Sequence, residues 1–234
     1  MNYGKLYLIP TPISGIDLKN SLTEKDVEIV SKLKFFIVET PKVARQFLMS
    51  IELPVSIREI EMQVFDEHSE KENIQELIQP LLLGNDMGLM TDAGAPCIAD
   101  PGEEVVLMCQ KLGIEIIPII GPSSIFLTLI ASGLDAEKFT FNGYLPKKPN
   151  KRKDEIDRLV QKVLNGAGSQ IFIEAPYRNQ PLFNDLLGIT ENIYLCLGIQ
   201  VGGENQEIIT LPISEWRKKK KLLEKVPIIY IIGK

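Results

Sequence analysis

The chain has 234 residues, 44% of them hydrophobic and 24% charged, which is ordinary globular composition and excludes a low-complexity or fibrous protein. A formal net charge of −5 excludes a general attraction to nucleic acid, so any such contact has to be local. The longest apolar runs, such as IEIIPII, are far too short to span a bilayer, and MNYGKLYLIPTP lacks the features of a secretory signal, so a cytoplasmic protein is expected.

In chain order, strand-like runs alternate with helical ones. KLYLIP opens as a strand, and EKDVEIVSKLK places Val27, Val30 and Leu33 roughly on one helical face. FFIVE reads as a second strand and KVARQFLMS as a second helix. NIQELIQPLLL reads as a helix interrupted by Pro80, which has no N–H to donate. MGLMT is a short strand, and GEEVVLMCQKLG a helix with acidic residues in its first turn and Gly113 as its stop. IEIIPII is the next strand. SSIFLTLIASGL is apolar all round and is expected to be deeply buried.

After Gly133 the pattern restarts with the strand KFTFNGYLP. The helix KDEIDRLVQKVLNG follows, with Ile156, Leu159, Val160, Val163 and Leu164 on one face. SQIFIE is a strand, RNQPLFNDLL a short helix, and NIYLCLG and QEIITL are strands; SEWRKKKKLLEK is a helix and VPIIYIIG a last strand. Such alternation implies α/β architecture with partly parallel sheets, here in two domains, 1–121 and 122–234.

No Gly-x-Gly-x-x-Gly turn follows a strand, and there is no Walker A sequence, which disfavours a nucleotide bound by the usual phosphate cradle. The common methyltransferase fold, with its Gly-rich loop after the first strand, is disfavoured for the same reason. Three other loops marked by Gly and Pro do follow strands: PTPISG, TDAGAPCIADPG and IIGPSSI. Ligands of open α/β sheets bind beyond the carboxyl ends of strands, so these loops could line one crevice. Asp92 and Gly94 can turn the chain sharply and leave backbone groups facing a ligand, while Asp100 and Pro101 start the next helix. The plainer alternative is a set of ordinary strand-to-helix loops, with Ser123 and Ser124 as helix caps.

Cys97, Cys109 and Cys196 are scattered and odd in number, which suits neither a disulfide framework nor zinc; with a single His, no metal site is expected. Cys109 and Cys196 sit in apolar patterns and are expected in the core. Two basic runs stand out, KKPNKRK at 147–153 and RKKKK at 217–221. The first runs into a helix start, where cations are unfavourable and a bound phosphate would be favoured. Lys147, Lys148, Lys151, Arg152 and Lys153 are therefore candidate phosphate contacts, with a solvated face as the alternative, and a solvated face is the reading for the second run.

The segments LYLIPTPI, FFIVET, DEHSE, MTDAGAPCIADPG, IIPIIGPSSIFLTLIASGL, FTFNGYLPKK and QIFIEAPYR, in this order, resemble the tetrapyrrole methylase superfamily, and within it the ribosomal RNA small subunit methyltransferase I family. The resemblance implies two α/β/α domains with S-adenosylmethionine (SAM) in a cleft between them. It implies 2′-O-methylation of a ribose in small-subunit rRNA, the small ribosomal subunit as partner, and a homodimer. Family positions in the cofactor cleft match Pro12, Asp92, Ala93, Gly94, Ile98, Ser124, Ile125, Glu174, Gly198, Pro227 and Ile228. A ribose hydroxyl is a weak nucleophile that a general base would help; the candidates are Glu39, His68 and Glu70, with Glu174 a further carboxylate. Departures from the family pattern include Thr91-Asp92-Ala93-Gly94-Ala95-Pro96 for Ser-Asp-Ala-Gly-Thr-Pro and Glu39-Thr40-Pro41-Lys42 for Glu-Asp-Thr-Arg. The small C-terminal extension of many members is also missing. These departures keep two rivals open: methylation of a tetrapyrrole or other small molecule, and a non-catalytic SAM- or RNA-binding protein.

Overall fold

Short apolar strands pair into two five-stranded sheets in the computed structural model, which describes residues 2–14, 22–51, 56–66, 68–69 and 74–234. The chain divides into two compact units, residues 1–123 and 124–234. Each unit contains one sheet.

In the first unit the order is β1 (Leu6–Leu8), α1 (Glu24–Ser31), β2 (Phe35–Val38), α2 (Pro41–Ser50), β3 (Glu61–Val64), α3 (Ile74–Leu77), α4 (Gln79–Leu82), β4 (Met87–Met90), α5 (Glu103–Leu112) and β5 (Ile116–Pro118). The sheet runs β3-β2-β4-β1-β5 and every pairing is parallel. A parallel sheet needs cover on both faces. Ile9, Phe36, Val38 and Met90 pack on one side with Val30, Phe47 and Leu48 from α1 and α2; Leu6, Ile37, Met87 and Leu89 pack on the other with Val105 and Cys109 from α5. Thr23 and Asp26 close a capping box at the start of α1, and Gly113 ends α5 in the left-handed region at φ 70°. The expected break near Pro80 falls at Ile78, between α3 and α4. β3 escapes the sequence pattern because it is a half-exposed edge strand whose EMQV sequence has no apolar run.

The second unit has the order α6 (Ser124–Ser132), β6 (Phe139–Tyr144), α7 (Pro149–Leu164), β7 (Ser169–Ile173), α8 (Asn179–Leu186), β8 (Tyr194–Ile199), β9 (Glu207–Pro212), α9 (Ile213–Lys219) and β10 (Ile228–Gly233). Its sheet runs β6-β7-β10-β8-β9; β6 and β7 are parallel and the remaining pairs antiparallel. One face packs against α7, α8 and α9 around Trp216, Phe183, Phe172 and Tyr230. Trp216 Nε1 donates to the Leu195 carbonyl at 2.8 Å, so the largest core side chain leaves no polar atom unpaired. The other face packs Ile171, Cys196, Ile229 and Ile231 against Leu129 of α6. Cys109 and Cys196 are both buried, as expected.

Three helices depart from expectation. α6 is not deeply buried: it buries Thr128, Leu129 and Ser132 but leaves Phe126 and Ile130 exposed, because only one side of it meets the sheet. α7 starts at Pro149, four residues ahead of the expected Lys153, because Pro at the first helical position needs no N–H partner. α9 stops after Lys219 instead of reaching residue 225, with Lys220 left-handed at φ 46°. In a longer helix Arg217 and Lys221 would be like charges four residues apart on one face, which favours that early stop. Among the described residues no helix is long and apolar enough to cross a membrane.

Candidate functional site

Because the first sheet is wholly parallel, the carboxyl ends of its strands share one edge, and backbone bonds there hold the three marked loops side by side. Thr11 N donates to the Gly94 carbonyl at 2.9 Å, and Gly94 N returns a bond to Thr11 at 3.2 Å. Gly94 takes φ 82°, which a side chain would oppose. The loop after β5 packs against the first loop, since a Cβ on Gly121 would lie 2.1 Å from Pro10 Cγ.

A fourth loop joins them. Thr40, following β2, donates its N–H to Asp92 Oδ1 at 3.1 Å and its hydroxyl to Oδ2 at 2.7 Å, and Asp92 N donates to Glu39 Oε2 at 3.2 Å. The connection leaving β2 leads to β3 on one side; that leaving β4 leads across β1 to β5 on the other. Asp92 and Glu39 thus meet at the topological switch point of the sheet, the usual ligand crevice of open α/β sheets.

Asp100 does not start the following helix. α5 begins at Glu103 behind Gly102, whose φ of 132° no side chain would tolerate. Asp100 stays in the loop, half-buried, with its pKa pushed up to about 6. Burial is the main cause and the Glu39 charge the next; the Thr91 hydroxyl opposes the shift and Asp92 adds to it. Asp100 was expected to start the next helix and so was missed as a site residue; the signal was the second Asp of TDAGAPCIADPG. The Cys97 thiol is pushed up to about 11 by burial and then by Glu103, Asp100 and Glu104, so it stays protonated at neutral pH.

The proposed bases separate. Glu39 belongs to the switch-point cluster. His68 is exposed, its backbone N–H donating to Asp66 Oδ1 at 3.0 Å, in the connection that follows edge strand β3, which is separated from β4 by β2. Glu70 lies outside the described residues. Of the remaining cofactor-matched positions in this unit, Pro12 and Ala93 flank the Thr11–Gly94 bridge, and Ile98 is exposed further along its loop.

In the second unit the matched positions also share one edge. β10 is antiparallel to β7 and β8, so its start lies beside their ends: Ile228 pairs with Ile199 and Ile229 with Ile173. This brings Glu174, Gly198, Pro227 and Ile228 to one side of the sheet. α6 starts towards the same side and runs away from it, because its last residue, Ser132, accepts a bond from Thr210, opposite Cys196, while Thr128 presses on Gly198, nearer that edge, where a Cβ would lie 2.3 Å from the Thr128 hydroxyl. Ser124 and Ile125 begin that helix. Glu174 is buried; its Oε1 accepts from Ala175 N and Arg178 Nε, both at 2.8 Å, and from Arg178 Nη2. Its Oε2 is buried without a hydrogen bond, an acceptor left over for a ligand donor.

SAM carries a positive sulfonium and an amine and has no phosphate. In the first unit, Glu39, Asp92 and Asp100 offer negative charge beside the Gly94 turn, chemistry that suits such a group; in the second unit, taken by itself, the spare Glu174 oxygen is an acceptor for a donor. Among the described residues no group of three His, Cys, Asp or Glu is arranged to hold a metal ion.

Lys147, Lys148, Lys151 and Lys153 are exposed. Arg152 has to be withdrawn from that set as an exposed contact: it is buried, with Nε and Nη2 each 2.7 Å from Asp185 Oδ2 and Nη1 donating to the Lys147 carbonyl. The first turn of α7 holds no acidic residue, and Lys148 supplies no side-chain cap.

No family model matches the chain. Among solved structures, the methyltransferase CobJ aligns at a TM-score of 0.63 and 13% identity, covering 98% of this chain and 94% of that one. The uroporphyrin-III-C-methyltransferase of Thermus thermophilus aligns at 0.57 and 16%, covering 99% and 92%. The fold is therefore that of the tetrapyrrole methylases. By sequence, the chain is similar to proteins named ribosomal RNA small subunit methyltransferase I. It is 27% identical over 210 residues to the protein of that name from Vibrio cholerae serotype O1, covering 90% of this chain and 65% of the relative. It is 27% identical over 225 residues to that of Thermotoga maritima, covering 94% and 96%. The chain thus spans just under two thirds of the first relative and nearly all of the second.

Proposed function

We propose that this chain is a SAM-dependent methyltransferase that methylates a ribose 2′-hydroxyl of small-subunit rRNA. The observation that carries the reading is the kinship with the T. maritima relative over almost the full length of both chains, because it spans both sheet edges. The geometry supports it: carboxylates and turned backbone suit a cationic, phosphate-free methyl donor. The SAM contacts proposed in the first unit are Pro12, Asp92, Ala93, Gly94 and Ile98; those proposed in the second are Ser124, Ile125, Glu174, Gly198, Pro227 and Ile228.

When bound, SAM supplies an electrophilic methyl on sulfur. With it bound, residues of the chain would orient the acceptor hydroxyl and take its proton while the oxygen gains the methyl and the methyl–sulfur bond breaks, leaving the neutral thioether S-adenosylhomocysteine. Glu39 and Asp100 are the carboxylates best placed for the proton. Asp92, with both oxygens engaged by Thr40, is a positioning residue and a fixed negative charge. Glu174, with Oε1 engaged by Arg178 and Oε2 spare, is a ligand contact. A homodimer in the cytoplasm belongs to the same reading.

The test is transfer of labelled methyl from SAM to small ribosomal subunits, followed by alkaline digestion of the RNA. A 2′-O-methyl blocks the neighbouring phosphodiester from alkaline cleavage, so label is expected in alkali-stable dinucleotides. Label in mononucleotides would move the acceptor to a base. Label only in a tetrapyrrole such as uroporphyrinogen would replace the reading, and SAM binding with no transfer to any fraction would make the chain a binding protein.

A further inference from the structure

β6 lies at the edge of the second sheet. Side chains alternate along a strand, so Phe141 and Tyr144, three apart, should face opposite ways. They do not. Phe139 pairs with Ser169, Phe141 with Ile171 and Tyr144 with Ile173, so Asn142 and Gly143 together oppose the single Phe172. The extra residue is a bulge. Gly143 accommodates it at φ 61°, and Asn142 Nδ2 stitches it by donating to the carbonyls of Thr140 at 3.1 Å and Ile171 at 3.2 Å.

The bulge turns Tyr144 onto the face of Phe139 and Phe141. Phe141 packs on the core beneath α6, while Phe139 is 39% and Tyr144 55% exposed. Phe126 of α6 meets Phe139 edge-on at 6.0 Å. Leu145 then enters the opposite core, so the chain crosses the sheet edge and delivers Lys147, Lys148 and Lys151 to solvent. Three residues of chain keep Lys147 within about 11 Å of Tyr144. A bulge alone protects an edge strand from pairing with another chain. That protection requires neither an exposed aromatic row nor the lysines that follow it.

We propose that the aromatic face of β6, with Tyr144 as its outer member, is a stacking platform for bases of single-stranded RNA whose phosphates are held by Lys147, Lys148 and Lys151. Every base offers a π-face, so rings recognise an unpaired strand, and a short cationic track beside them supplies the charge that the acidic chain as a whole lacks. This inference rests on the RNA substrate of the proposed function.

The experiment measures binding of a labelled, mixed-sequence single-stranded oligoribonucleotide and of its duplex to the full chain by anisotropy at several salt concentrations. SAM binding by calorimetry serves as the control for folding. Tyr144→Ala is expected to weaken single-strand binding about tenfold with an unchanged salt slope, and Tyr144→Phe to restore it to within about twofold. Lys147→Ala with Lys148→Ala is expected to lower the salt slope by about 1.4. Wild-type affinity in Tyr144→Ala, or a duplex bound as tightly as the single strand, overturns the platform while leaving the RNA substrate in place. No RNA binding by the wild-type chain at low salt, with SAM still bound, overturns the RNA substrate and the platform with it.

Discussion

The two basic runs look alike in the sequence and differ in the fold. Residues 217–221 lie across the end of α9, where cations suit the helix dipole, and three of the five have partners. Arg217 Nε donates to the Leu187 carbonyl at 2.8 Å and its Nη2 to that of Ile189; Lys218 pairs with Glu215 at 2.7 Å, and Lys221 with Glu207. Residues 147–153 lie across the start of α7, where cations oppose the dipole, and the first turn offers no acid to offset them. One run satisfies the fold. The other sits where stability alone would not put it, and this is why the RNA assignment attaches to it.

The comparison sharpens inside the first run, where the largest effect is expected. Arg152→Ala strands Asp185 in a largely buried site and should cost about 3–5 kcal/mol in urea denaturation. Lys151→Ala, one residue earlier and exposed, should change stability by no more than about 0.5 kcal/mol. Similar costs for both would erase the division of the run into one structural residue and a set of free ones. In the second run, Arg217→Ala removes two carbonyl contacts of a charged donor. It should cost about 1–3 kcal/mol by the same measurement and leave RNA affinity unchanged.

RNA binding should separate the runs in the opposite sense. Replacing Lys147, Lys148 and Lys151 with Ala should lower the salt slope of single-strand binding by about 2 and weaken binding about tenfold at moderate salt. Replacing Lys218, Lys219 and Lys220 should leave the slope as it was. Equal slopes in the two variants would return both runs to solvated faces.

The same contrast shows what a sequence can carry. Strands of continuous apolar residues, such as FFIV and MGLM, were legible because burial on both faces demands them. So were Gly113 as a helix stop and the three loops that meet at the sheet edge. The fate of a charge was not. Whether Arg152 faces solvent depends on Asp185, 33 residues on, and on a helix that starts four residues before its apolar face announces it. Asp100 was hidden for a similar reason. An Asp-Pro-Gly reads as a helix cap, and only the approach of Glu39 from another strand makes it a member of a carboxylate cluster.

The smallest effect expected is a change of slope, and it bears on the other sheet edge. Asp100 has its pKa raised from 3.8 to about 6 in the folded chain. Between those values the folded state holds a proton that the unfolded chain has released. Stability should therefore fall as pH rises from about 4 to about 6, and the contribution should be level above that range. Asp100→Asn removes the titration, so its melting temperature should decline less across that window than that of the wild type. A cation bound beside Asp100 favours the ionised carboxylate and draws its pKa back down. If the sulfonium of SAM sits at this edge, saturating SAM should raise the melting temperature more at pH 7 than at pH 5, and Asp100→Asn should flatten that difference. An equal increment at both pH values in the wild type would place the positive charge of the cofactor away from the Glu39, Asp92 and Asp100 cluster, and would leave the clash of these carboxylates as a cost of folding with no ligand to relieve it.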